Sequence, residues 1–211
     1  MSAMGHTSTI AYNEKHSTPP RTSSSAPQRK RSTMDYRAGL HIDPKAHIAK
    51  NATVVGDVTV GPDVTVLEGA TIRGDFGGSI EIGAGANIQE NCCVHVNAGE
   101  VTRIGENVTV GHGAIIHGCE IGDGSLIGMG AIVIDHAKVG KRCLVGAGSL
   151  VTGTADIPDG WMAFGSPAKP IRPLRDDELA SLVDAAEEYR EIGHNMESQG
   201  FLLPGSEYSP I

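Results

Sequence analysis

Arg73, His95 and His117 stand 22 residues apart in turn, in a chain of 211 residues whose aliphatic positions otherwise return every six. An arginine and two imidazoles at one phase of a repeat offer anion pairing, metal ligation or proton transfer, none of which a packed core needs. His112 adds a third imidazole five residues before His117. Three neutral imidazoles with an open fourth position are a zinc pattern, and they suit Fe2+ or Co2+ as well. They leave a divalent ion its full charge, so a bound water is pulled towards a pKa of ~7 and becomes hydroxide at neutral pH.

The elements that must position these groups are written in the hexads. Val60-Gly61-Pro62-Asp63-Val64-Thr65, Ile104-Gly105-Glu106-Asn107-Val108-Thr109 and Ile127-Gly128-Met129-Gly130-Ala131-Ile132 share a leading aliphatic residue and a small one four places later. Such a unit suits a short strand followed by a tight turn, and three units make one triangular coil of a parallel β-helix. Ten residues separate Ile72 from Ile82 and Val94 from Ile104, so two coils carry a four-residue bulge at one corner and lengthen from 18 to 22; Ile116 to Ile121 is one residue short. On this frame Arg73, His95 and His117 occupy the same outward position on successive coils, next to the inward aliphatic residue. His112 falls on the preceding face. It can meet the other two if a second copy of the chain lays that face alongside, as a three-fold assembly does.

Arg73-Gly74-Asp75, Asn87-Ile88-Gln89-Glu90-Asn91, Val94-His95 and Gly111-His112-Gly113-Ala114-Ile115-Ile116-His117-Gly118-Cys119, in that order, resemble the γ-class carbonic anhydrases and their bacterial relatives among the left-handed β-helix hexapeptide proteins. The resemblance runs from about Gly39 to Glu197. It implies an all-β, left-handed parallel β-helix of hexapeptide repeats with a C-terminal α-helix, assembled as a homotrimer. It implies Zn2+, with Fe2+ or Co2+ as alternatives, held by His95, His117 and the His112 of an adjacent subunit. Carbon dioxide would then be hydrated to bicarbonate by a metal-held hydroxide. Arg73 and Asp75 are similar to an interface ion pair beside the metal, and Asn87 and Gln89 to groups that orient water and carbon dioxide. Tyr189 is similar to a tyrosine that some members lay over the site. One departure concerns proton transfer: members of high activity carry an acidic loop after the first histidine, whereas Val96 to Arg103 holds Glu100 alone, and Phe76 follows Asp75 where those members have an acidic residue. The residues therefore point to metal binding more directly than to fast turnover.

Two rival functions fit parts of the same sequence. A coenzyme A-dependent acyltransferase or thioesterase would use one histidine as general base and a pocket built from Gly165 to Arg172, with no metal. A non-catalytic structural subunit would keep the three histidines as a relic, since fold and function separate readily.

Composition sets the remaining limits. Aromatic residues make up 4% of the chain and glycines number 28, as expected where aliphatic rungs and turns replace a bulky core. Residues 1–37 carry six Lys/Arg against two Asp/Glu, or +4, which leaves 11 against 23, or −12, on residues 38–211. An acidic body argues against nucleic acid as a partner. No run reaches the ~18 apolar residues of a membrane span, and Cys92, Cys93, Cys119 and Cys143 follow neither a metal nor a secreted framework pattern, so a cytoplasmic setting is expected. The Ser/Pro/Arg-rich stretch 1–37 is expected to be a disordered basic tail, with an organellar address as the second reading. Residues 38–173 form the β-helix, 174–198 the helical segment and 199–211 a C-terminal tail. Within 174–198, Asp176 to Ile192 reads as helix, with acidic residues in its first turn, Leu179, Leu182, Val183 and Ala186 at 3/4 spacing, and Gly193 as its stop.

Overall fold

A computed structural model describes residues 36–153 and 155–210 of the chain. The basic tail inferred for residues 1–37 lies almost wholly outside the described residues.

The hexads close into a left-handed parallel β-helix of three faces. Among the described residues the first face has seven strands, from Leu40–Ile42 to Asp156–Ile157, and the third has six, from Thr53–Gly56 to Leu150–Val151. The second face has nine. It starts at the edge strand Leu202–Pro204 beside His47–Ala49, climbs through Thr65–Val66, Asn87–Ile88, Thr109–Val110, Leu126–Ile127 and Leu144–Val145, and ends in the antiparallel hairpin Trp161–Gly165 and Ala168–Pro173. Each inward aliphatic residue stacks on its equivalent one coil away, as Ile72, Val94 and Ile116 do, all fully buried. Burial at roughly 25 cal/mol per Å2 of apolar surface makes these rungs the main source of stability.

The irregular coils fall where the sequence places them. Ile72 pairs with Val94 and Val94 with Ile116, an advance of 22 each, whereas Ile116 pairs with Val133, an advance of 17. Because the bulges sit at one corner, between the third face and the first, the register of the other corners is kept. Arg73 is the direct neighbour of His95, and His95 of His117. Beside and beyond this column the later coils of the third face are apolar on the outside: Ile115 is 40% exposed, and Ile132, Ile134 and Leu150 are half-buried.

The helix differs from the sequence reading. It spans Asp176–Ser198, passing through Gly193. Gly193 is not a stop but a contact, because a Cβ there would run into Thr65 Oγ1 and the His47 ring. Its missing side chain lets the helix settle onto the second face, and that tertiary packing outweighs the intrinsic cost of a helical glycine. At the N-terminus Arg172 grips Glu178 through two 2.7 Å hydrogen bonds, and the Arg175 backbone N–H donates to the same carboxylate, holding its pKa down at about 2. Beyond the helix, Leu202–Pro204 adds an antiparallel strand to His47–Ala49, within a stretch read from sequence as a tail. Among the described residues no helix is long and apolar enough to cross a membrane.

Candidate metal centre

His95 and His117 project from the third face with ring centroids 5.3 Å apart. Burial, then the charges of His117 and Arg73, push the His95 imidazole below its usual pKa, against the opposing pull of Asp75. His95 is thereby kept neutral with its lone pair available, the form a metal requires. Its Nε2 is buried and has no hydrogen-bond partner. His117 turns Nδ1 to Asp135 Oδ1 at 2.6 Å, which leaves Nε2 as its open nitrogen.

His112 sits in the turn between Thr109–Val110 and Ile115–His117, at the corner joining the second and third faces. Its Nδ1 lies 2.5 Å from Glu90 Oε2, and its Nε2 faces the Tyr189 hydroxyl at 3.4 Å. A buried chain of amides fixes this turn: Asn87 donates to Thr109 Oγ1 at 2.9 Å, Gln89 donates to Asn87 at 3.1 Å, and the His112 backbone N–H donates to Gln89 Oε1 at 3.1 Å. Asn87 and Gln89 are both nearly fully buried beneath the helix. Burial first, then the charges of Glu90 and Glu188, raise the Tyr189 pKa, so the phenol keeps its proton and can donate it to His112.

Arg73 forks onto Asp75 with contacts of 3.2 and 3.0 Å within one chain. Asp75 is largely covered, its side chain 9% exposed, whereas Arg73 is 48% exposed in the protomer. Asp75 Oδ1 also lies 3.9 Å from His95 Nε2. Phe76 is exposed next to His95, with ring centroids 6.4 Å apart. Glu100, the lone acid of the shortened loop, is held by Asn97 at 3.3 Å and lies 3.6 Å from His136 Nε2.

One chain thus brings Arg73, Asp75, His95 and His117 together on the third face, and Asn87, Gln89, His112 and Tyr189 together at the corner of the second. Among the described residues, His95, His112 and His117 do not form a group whose donor atoms converge, whereas His47, Asp63 and His194 do. The carboxylates on Nδ1 of His112 and His117 went unrecognised in the sequence. Glu90 stands one 22-residue coil before His112, whereas Asp135 stands one residue past Ile134, the register partner of His117. Carboxylates in that position fix the tautomer and raise the basicity of metal-ligating histidines.

Between the helix and the second face runs a groove of about 420 Å3, lined by Leu126, Leu144, Phe164 and Ala185, with His112 and Tyr189 at one end. Its floor carries Gly111, Gly128 and Gly146, and a Cβ on Gly146 would collide with the Phe164 ring. Of the Gly165 to Arg172 segment expected to line a pocket, no residue lines this groove; the preceding Phe164 does.

The model of bacterial transferase hexapeptide repeats matches residues 101–133 and 118–153. A hexapeptide transferase family protein from Anaplasma phagocytophilum superposes with a TM-score of 0.70 at 37% identity, over 74% of this chain and 91% of that one. The chain belongs to the hexapeptide-repeat family. A Bacillus cereus member described as a candidate acetyltransferase gives a TM-score of 0.73 at 37% identity, over 75% of this chain and 92% of its own. Within the family the chain is also similar to mitochondrial γ carbonic anhydrase 2 of Arabidopsis thaliana, 42% identical over 154 residues. That match takes in 70% of this chain and 55% of the plant protein, so the chain spans little more than half the length of this relative.

Proposed function

We propose that this hexapeptide protein is a γ carbonic anhydrase-like enzyme that hydrates carbon dioxide to bicarbonate at metal sites shared between the subunits of a homotrimer. The observation that carries the reading is the state of the imidazole nitrogens. Nε2 of His95 is buried without a partner, and carboxylates on Nδ1 of His112 and His117 leave Nε2 of each as the donor. The donor set fits a divalent ion. Zn2+ held by the three, or Fe2+ or Co2+ in its place, would lower the pKa of a water towards ~7 and supply hydroxide for attack on carbon dioxide.

This chain's own residues do the rest. Desolvation and the neighbouring charges keep His95 neutral. Asn87 and Gln89 hold the His112 turn, and the Gln89 amide retains an N–H with which to orient water or carbon dioxide. Arg73 fixes Asp75 beside His95. Proton export falls to Glu100 and His136, the titratable pair on the shortened loop side. A three-fold axis along the third face would bring the His112 corner of one subunit onto the His95 and His117 column of the next, and cover Ile115 and Phe76 as it did so. The cytoplasmic setting expected from the sequence competes with the mitochondrial location of the Arabidopsis relative, for which the Arg/Ser-rich stretch 1–37 is a suitable address.

The test is metal analysis and carbon dioxide hydration kinetics on protein made without a histidine tag. Wild type is expected to bind metal stoichiometrically and to hydrate carbon dioxide faster than buffer, while His117→Ala loses both. Stoichiometric metal with no rate above buffer would leave a structural site and defeat the enzymatic claim.

The apolar groove favours a second reading, an acyltransferase or thioesterase acting on coenzyme A esters, with His112 as general base oriented by Glu90. This reading requires acetyl-coenzyme A turnover that persists in chelator and disappears in His112→Ala, whereas His117→Ala leaves it intact.

A further inference from the structure

His47 lies on the first coil of the second face and is 3% exposed. Its Nδ1 meets Glu197 Oε2 at 2.5 Å, and its Nε2 is buried with no partner. His194, from the same helix as Glu197, approaches edge-on with ring centroids 4.4 Å apart and planes at 70°. Asp63 comes from the turn after Val58–Val60, in the left-handed conformation with φ 54°. One donor atom from each of His47, Asp63 and His194 lies within 4.8 Å of the other two.

We propose that His47, Asp63 and His194 form a second divalent-metal site, of the Zn2+ class, that clips the helix to the first two coils of the β-helix. A buried imidazole nitrogen without a partner is costly unless something fills the position it faces. His47 Nδ1–H donates to Glu197, so the nitrogen left to a ligand is Nε2 with its lone pair, the tautomer of a carboxylate–histidine–metal triad. Two imidazoles and a carboxylate with open positions suit Zn2+, Fe2+ or Co2+, and at bond lengths of about 2.1 Å the donors need draw in by about 1 Å. Gly193 makes the approach feasible, because a side chain there would strike His47 and Thr65. The site lies three strands along the second face from Thr109–Val110, the strand that precedes His112, or roughly 14 Å at the usual strand spacing. It stands apart from the interface histidines and does not rest on the carbonic anhydrase reading. Its role is structural: a bound ion joins a coil, the next turn and the helix, groups up to 147 residues apart in sequence.

The full untagged chain, stripped with chelator, is titrated with Co2+ followed by its visible absorption and with Zn2+ by calorimetry. His194→Ala and Asp63→Asn are compared with wild type; His194 is exposed, and Asn tolerates the left-handed turn, so both should fold. Each variant is expected to bind about one equivalent per chain fewer than wild type, and to lose the rise in melting temperature that Zn2+ gives wild type. Glu197→Gln should keep the equivalent but weaken it about 10–100-fold. The difference between wild type and variant is the readout, so it stands whether or not the interface site loads. Equal metal stoichiometry in wild type and in Asp63→Asn, with unchanged Zn2+ stabilisation, would overturn the proposal and leave a water-filled pocket.

Discussion

At the scale of single residues, ligands and their supports are separable. Gln89 touches the His112 turn through a backbone N–H and passes its own N–H to Asn87, so it contributes no donor to the metal. Gln89→Ala is therefore expected to retain metal while hydration slows about 10–100-fold. Asp135 acts on His117 itself, from Nδ1. Asp135→Asn should accordingly weaken metal binding by a similar factor, read by competition with a chelator, with turnover per bound ion little changed. Equal loss of metal in both variants would collapse the distinction. Arg73, His95 and His117 were legible because their types are wrong for a core and their spacing equals a coil, and His112 because it stands five residues before His117, on the preceding face. Glu90 and Asp135 were not, because acidic residues at exposed turns are common and their meaning lies in contacts across coils.

At the scale of elements, the β-helix was legible down to its irregularities. The 22-residue coils and the 17-residue step follow from counting between inward aliphatic residues, since a slip would turn each one outward. The helix was less legible at its end. Gly193 obeys a local stopping rule, yet the contact that overrides the rule is with Thr65 and His47, more than a hundred residues earlier. The strand Leu202–Pro204 has no hexad at all; it forms because the edge at His47–Ala49 offers unpaired backbone groups. Gly193→Ala tests the packing account. Helix propensity alone predicts stabilisation by about 1 kcal/mol, whereas the contact predicts a lower melting temperature and weakened docking of the helix.

At the scale of the whole molecule, the proposed function makes the protomer a carrier of two half-sites. Arg73 and the His95 and His117 column occupy the third face, the buried amides and His112 its edge, and assembly would bring one subunit's edge to the next subunit's face. Arg73 is half exposed in the protomer yet fixed on Asp75. Removing it leaves Asp75 unpaired where the subunits would meet, so Arg73→Ala is expected to shift the trimer towards monomer in sedimentation at low micromolar concentration. The most direct test of a shared site is complementation. His112→Ala and His117→Ala chains should each be inactive and depleted of interface metal as homotrimers. Co-expressed in equal amounts, they should assemble interfaces in which one subunit supplies His112 and the next supplies His95 and His117. Random mixing makes roughly a quarter of interfaces intact, so hydration should recover to about a quarter of wild type. Mixed trimers that stay as inactive as either parent would contradict a metal site built across subunits.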